Sequence, residues 1–271
     1  MRGFRTDLAY EELPQGGGAL PGVKSAVTEA DGFTVTDVEV LDERGSHELC
    51  KPIGRYLTVD LESFFRRRED AFGKAVARVA RCVGEVLPLA DGGSVLVAGL
   101  GNPAITPDAV GPEAAALTLA TRHLTAAMPE DFAAFRPVSV LRTGVLGTTG
   151  MESSELIRAV CAAVRPDAVV VVDALASRAP EKLCRTVQLT DTGIVPGSGV
   201  GNDRAELSRR VLGVPVAAVG VPTVVDAGDG LIVTPRDIDR YVKDAGRLIA
   251  YALNMAFHPS LSISDIDMFV G

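Results

Sequence analysis

This chain of 271 residues predicts a three-layer α/β/α architecture with a mostly parallel sheet and a small N-terminal β appendage. Three observations lead there. From Ser94 onward, short and almost wholly apolar runs alternate with segments of helical period, the pattern of strands buried on both faces under covering helices. Glycine-rich segments follow these runs, where the loops of such folds gather. Residues 1–60 differ, with the alternating apolar and polar positions of antiparallel or edge strands. The expected organisation is an appendage over 1–61 packed on a core over 62–271, together one structural domain.

The elements follow in order. The appendage holds polar turns, a Gly16-Gly17-Gly18 break and two strand patterns, FTVTDVEV (33–40) and RYLTVDL (55–61). From Glu62 to Leu87, Phe65, Phe72, Ala75, Val76, Val79, Val83 and Val86 recur near the helical period, so this helix has one apolar face to pack on the sheet. Arg66 to Arg68 form the only basic run, read as a solvated helix start rather than a binding patch. Strands are expected at SVLVAGL (94–100), PVSVLR (137–142), AVVVVDA (168–174), RTVQLT (185–190) and PVAAVGV (215–221). Helices are expected across Glu113–His123, Glu152–Val164 and Pro235–Met255.

Composition narrows the function classes. A hydrophobic content of 47% supports a large core, and a net charge of −8 without a basic stripe excludes direct binding to nucleic acid. The N-terminal stretch lacks the apolar region of a secretory signal, and no apolar run is long enough to span a membrane. Cys50, Cys82, Cys161 and Cys184 are scattered without CxxC spacing, and Cys82 and Cys161 fall at apolar helix positions. Reduced thiols and a cytoplasmic location are therefore expected. His47, His123 and His258 lie far apart with no HExxH pair, so no metal is expected.

The loops carry the chemistry. Gly99-Leu100-Gly101-Asn102-Pro103-Ala104 formally matches a dinucleotide fingerprint. That motif needs a helix opening directly at its glycines, whereas Pro103 and Pro107 postpone the helix to about Ala109, so no nucleotide cofactor is expected. Four further glycine-rich segments, Thr143–Gly150, Asp191–Asn202, Gly220–Asp226 and Gly228–Gly230, have the close-approach backbone that can wrap a peptide. Within or beside these segments, Asn102, Gly144, Gly147, Gly197, Gly199 and Asn202 are candidate substrate contacts. Arg142, Arg178 and Arg204 are the cations placed to pair with an acidic target residue.

Two acids stand at strand ends. In open α/β sheets ligands bind outside the carboxyl ends of the parallel strands, which puts Asp108, after SVLVAGL, and Asp173, ending VVVV, within reach of one site. For Asp108, between Pro107 and a helix, an ordinary helix N-cap is an equal reading. Asp173 ends a strand buried on both faces, and a carboxylate there requires a cleft or a partner. Two carboxyls held close share a proton, which provides a base to activate water beside an acid to polarise a carbonyl. That is the chemistry of peptide hydrolysis without a covalent intermediate.

At these residues the chain resembles the spore germination proteases, endopeptidases that degrade small acid-soluble spore proteins. The stretches that carry the resemblance are RTDLA (5–9), GRYLTVDL (54–61), GLGNPAITPDAVGP (99–112), TRHL (121–124), RPVSVLRTGVLGTTGMESSE (136–155), PDAVVVVDALASR (166–178), QLTDTGIVPGSGVGNDRAELS (188–208) and LGVPVAAVGVPTVVDA (212–227). The family's two essential aspartates fall on Asp108 and Asp173. The resemblance also implies a fold shared with hydrogenase maturation endopeptidases, cleavage beside a glutamate in an acidic target, a homotetramer, synthesis as a zymogen and work in the spore core. Maturation endopeptidases hold a metal with acids at corresponding strand ends and a histidine. No histidine stands in residues 188–202, which disfavours a metal-dependent variant of the fold. An inactive peptide-binding relative is the remaining alternative. Only Met1 to Phe4 precede the RTDLA stretch, so activity without processing is expected, and the segment after Asp226 is short where relatives carry an insertion.

Overall fold

A computed structural model describes residues 5–14, 18–65, 71–201, 204–228 and 231–270. In chain order the elements are β1 (Val23–Ala30), β2 (Phe33–Val40), α1 (Glu43–Leu49), β3 (Gly54–Asp60), α2 (Glu62–Phe65), α3 (Ala71–Val86), β4 (Val95–Leu100), α4 (Val110–Leu117), α5 (Arg122–Ala127) and β5 (Val138–Gly144). They continue with α6 (Leu146–Thr149), α7 (Ser153–Val164), β6 (Ala168–Ala176), β7 (Thr186–Thr190), α8 (Arg209–Leu212), β8 (Val216–Gly228), β9 (Leu231–Val233), α9 (Ile238–Phe257) and α10 (Ile263–Val270). The expected α/β/α layering is present. Arg66 to Arg68 and Asn202 lie outside the described residues.

The sheet has the order β1-β2-β3-β7-β8-β6-β4-β5, with β9 added to the end of β8. Strands β8, β6, β4 and β5 are mutually parallel, whereas β7, β3, β2 and β1 join by antiparallel pairing. The N-terminal strands thus continue the same sheet, since β3 pairs with β7 through Tyr56–Thr190 to Asp60–Thr186.

Alternation along the parallel strands divides the core into two layers. Val95, Val97, Val170 and Val172 pack with Val79, Val83, Leu248, Ile249 and Leu253 of α3 and α9. Leu96, Ala98, Val169 and Val171 pack with Ile157 of α7 and with Leu207. Fully burying such side chains contributes about 1.5–3 kcal/mol each, which is why these runs stay strand on both faces.

Two expectations change in detail. The helix expected across Glu113–His123 is two helices. Buried Asn254 of α9 gives its Nδ2 hydrogen to Leu117 O (2.9 Å) and accepts Leu119 N–H (2.9 Å), ending α4 at Leu117 with side-chain bonds in place of a further turn. Gly220–Asp226, expected as a loop, continues strand β8, which pairs with β6 from Val169–Val216 to Ala176–Val224. No helix among the described residues is long and apolar enough to cross a membrane.

His258, after α9, is fully buried, and neither ring nitrogen has a hydrogen-bond partner among the described residues. Burial first, and the Arg136 charge second, hold its pKa down to about 4. An imidazole whose folded pKa lies below its unfolded value of about 6.5 stabilises the fold fully above pH 6.5 and loses that contribution as pH falls toward 4. The expected loss by pH 5 is of order 2 kcal/mol. A His258→Leu variant should therefore show a shallower fall of Tm between pH 7 and pH 5 than the parent. Parallel Tm curves for the two proteins would contradict this.

Candidate active site

The loop between β4 and α4 is folded tightly enough to bring Asp108 over the end of the sheet. Gly101 has φ +109°, and a Cβ there would lie 1.9 Å from the Asp108 carbonyl oxygen, so only glycine allows the chain to double back at this point. Gly111, in the first turn of α4, lies against the strand ends: a Cβ would meet Leu100 O at 2.2 Å and Val172 O at 2.5 Å. Val172 immediately precedes Asp173. This contact clamps the Asp108 segment to the middle of β6, beside Asp173.

Asp108 does not cap a helix. It closes a short 3-10 turn, Thr106–Asp108, and its Oδ2 accepts the Asn102 N–H at 2.8 Å, while the residue at the N-cap of α4 is Ala109. Thr223 of β8 donates to Pro107 O at 2.7 Å, tying the same segment to a third strand. Burial raises the Asp108 pKa, opposed by the Asn102 N–H and by the Arg204 charge.

Asp173 is 6% exposed and shares the sheet face of Val169 and Val171, with Gly220 of β8 beside it in register. Its Oδ1 accepts the N–H of Ala174 at 2.9 Å. Burial pushes this carboxyl well above the usual carboxylate range, and the charge of Asp108 adds to it; the Ala174 N–H pulls it back, Asp7 raises it and Arg204 lowers it. The Asp108 charge therefore bears on Asp173, and one cation, Arg204, acts on both.

That cation is Arg204, whose Nη1 lies 3.4 Å from Glu152 Oε1. The other two arginines stand apart from the acids. Arg142 is exposed on β5, at the edge of the sheet, and Arg178 is bonded to Glu12 at 2.6 Å. Among the glycine candidates, Gly144 ends β5, Gly147 lies exposed in α6, and Gly197 precedes a 3-10 turn over Ser198–Val200. Gly199 packs on Asp7, where a Cβ would meet Asp7 Oδ2 at 2.2 Å.

Asp7 is the site residue that the motif search did not single out. Its N–H and Oδ2 pair with Ala176 O and Ala176 N at 2.9 and 2.8 Å, and its Oδ1 accepts Ser198 Oγ–H at 2.8 Å. The N-terminal segment thus crosses the end of β6 next to Asp173. Nothing in local periodicity marks it, because its partners are about 170 residues away. Among the described residues no three His, Cys, Asp or Glu side chains form a metal-binding cluster.

Comparisons with known proteins give the family of the chain. The profile described as germination protease matches residues 9–229. A germination protease of Caldanaerobacter subterraneus subsp. tengcongensis is 35% identical over 99% of this chain and 98% of its own length. Another, from Clostridium perfringens, is 34% identical with both chains fully covered, and one from Bacillus cereus is 42% identical over 90% of this chain and 68% of its own length. The first alignment runs over 319 positions against a chain of 271, so that relative carries residues absent here. A solved [NiFe] hydrogenase maturation protease of Thermococcus kodakarensis overlays with TM-score 0.37 and 22% identity, covering 59% of this chain and 92% of that one, too loosely to carry residue correspondences. With a family profile spanning most of its length and relatives aligned end to end, this chain belongs to the germination proteases, peptidases that act on a protein substrate.

Proposed function

We propose that this chain is an endopeptidase of small acid-soluble spore proteins, working in the spore core through Asp108 and Asp173. The observation that carries the reading is the pair itself: one carboxyl within β6 and one in the turn that follows the neighbouring strand β4, both raised in pKa, with the Asp108 charge bearing on Asp173. The more deeply buried Asp173 keeps the shared proton, and the less buried Asp108 is the base.

The step balances as follows. Asp108 takes a proton from water as the water oxygen bonds to the scissile carbonyl carbon, and Asp173 gives its proton to the carbonyl oxygen. The tetrahedral intermediate then breaks its C–N bond, Asp108 returns its proton to the leaving nitrogen, and an intermediate hydroxyl reprotonates Asp173. Both acids end in their starting states. Arg204 limits the build-up of negative charge around them and keeps the base ionised near neutral pH.

The test is incubation of the protein with a spore-protein peptide containing one glutamate, followed by mass spectrometry. Two fragments are expected whose summed mass exceeds that of the intact peptide by one water. An intact peptide after prolonged incubation would overturn the reading.

A further inference from the structure

Beside Asp173, on the same face of the sheet, lies a cavity of about 690 Å³. Its size falls within the range of about 300–1,000 Å³ typical of ligand pockets. Leu175, two residues beyond Asp173 on β6, and Gly220, the register partner of Asp173 on β8, form part of the wall. Asp7 forms another part and bears electrostatically on Asp173, so the cavity adjoins the paired acids.

The charges lining it are unequally satisfied. Each acid is already engaged: Asp7 by Ala176 N–H and Ser198, Glu12 by Arg178, and Glu206 by Arg210. Of the cations, Arg178 is spent on Glu12. Lys51 gives one hydrogen to Thr6 O at 2.7 Å, and among the described residues neither Lys51 nor Arg5 forms an ion pair. An ammonium has three hydrogens to give, and a half-buried one without a carboxylate is held at a cost. Burial accordingly lowers the Lys51 pKa, and the nearby acids only partly offset it.

We infer that this cavity receives a carboxylate side chain of the bound peptide, with Lys51 as the residue that selects it and Arg5 as a second cation at the mouth. The inference rests on the peptidase reading above. A carboxylate entering here repays the desolvation of Lys51; of the acids in the wall, Glu12 and Glu206 are paired with arginines, and Asp7 is held by the Ala176 N–H and Ser198, with Arg5 and Lys51 the cations facing its charge. A glutamine of the same shape leaves the ammonium unpaired. This places selection on a residue from the turn between α1 and β3, in the N-terminal part of the chain.

The experiment compares matched peptides with Glu or Gln at the selected position. The parent should prefer the Glu peptide by about tenfold or more in kcat/KM, mainly through KM, as a charge-assisted hydrogen bond implies. Lys51→Met should erase the preference while still cutting both peptides, and Lys51→Arg should retain it. A Lys51→Met enzyme that keeps the full preference would overturn the inference and leave the peptidase reading standing. Binding of fluorescent versions of the peptides in an Asp173→Asn background separates the two questions, because it needs no turnover. There the Glu peptide should bind about tenfold more tightly than the Gln peptide, and equal binding would overturn the inference even if no peptide is ever cleaved. Should Lys51→Met fail to fold by circular dichroism, Arg5→Gln is the second variant, expected to weaken the Glu peptide several-fold and leave the Gln peptide unchanged; equal effects on both would also overturn it.

Discussion

Replacing Asp173 or Asp108 by asparagine is expected to lower turnover of a spore-protein peptide by at least about 100-fold, the usual scale for loss of a positioned acid or base. The exchange keeps the size of each side chain, so Tm should change little at Asp108. At Asp173, where the folded carboxyl keeps its proton well above the unfolded value of about 3.9, the parent loses stability as pH rises above that value, so Asp173→Asn should raise Tm relative to the parent by an amount that grows from about pH 4 upward. The parent itself should give a bell-shaped pH profile. Activity falls on the acid side as Asp108 takes up a proton and on the alkaline side as Asp173 loses its own, and the two limits belong to the pair as a unit. Near-parental turnover in either variant would sink the paired-acid mechanism. If EDTA stops the reaction and zinc or nickel restores it, the aspartates are better described as ligands.

A large effect is also expected from a position with no chemistry of its own. Gly111→Ala sets a methyl group 2.2 Å from Leu100 O and 2.5 Å from Val172 O, both of them backbone atoms of the central strands. Neither strand can move without disturbing a buried layer, so helix α4 must lift away. Overpacking of this kind costs about 1–3 kcal/mol and sometimes more. The predicted result is a Tm lower by about 5 °C. Because α4 carries the Asp108 segment, kcat should fall well beyond what the stability loss explains at a temperature where the variant is folded. A variant with parental Tm and kcat would show that the close packing of α4 on β4 and β6 does not position Asp108.

Much of the fold was legible in the sequence. Runs such as AVVVVDA are apolar on both faces and too short for a membrane, so they specify central strands wherever they lie in the chain. The less legible elements were those with no apolar pattern. Strand β1, VKSAVTEA, is an exposed edge strand that needs no buried face, and its alternation is correspondingly faint. Its signal lay instead in the Asp31-Gly32 turn, where both residues have positive φ as tight hairpin turns require. Gly220–Asp226 read as a loop because of Gly220 and Pro222, yet β8 runs through it, with Gly220 leaving room for Leu175 across the strand.

The sequence by itself determined the layered α/β class, the central strands and the resemblance to a protease family, and it singled out Asp108 and Asp173, although β6 runs three residues past Asp173 and Asp108 lies in a turn beyond β4. These rest on the order of residue types within short windows, where apolar runs and glycine turns act locally. Tertiary structure decided the rest. Arg204, and not Arg142 or Arg178, is the cation that acts on both aspartates, because electrostatic influence depends on where side chains converge in space and not on nearness to a glycine loop. Asp7 crosses the end of β6 from the other end of the chain, and Lys51 stands without a carboxylate partner among the described residues, in a cavity that several separate segments enclose. The depth of burial that raises Asp173 is set by long-range packing of this kind, since the cost of a charge depends on everything that displaces water around it.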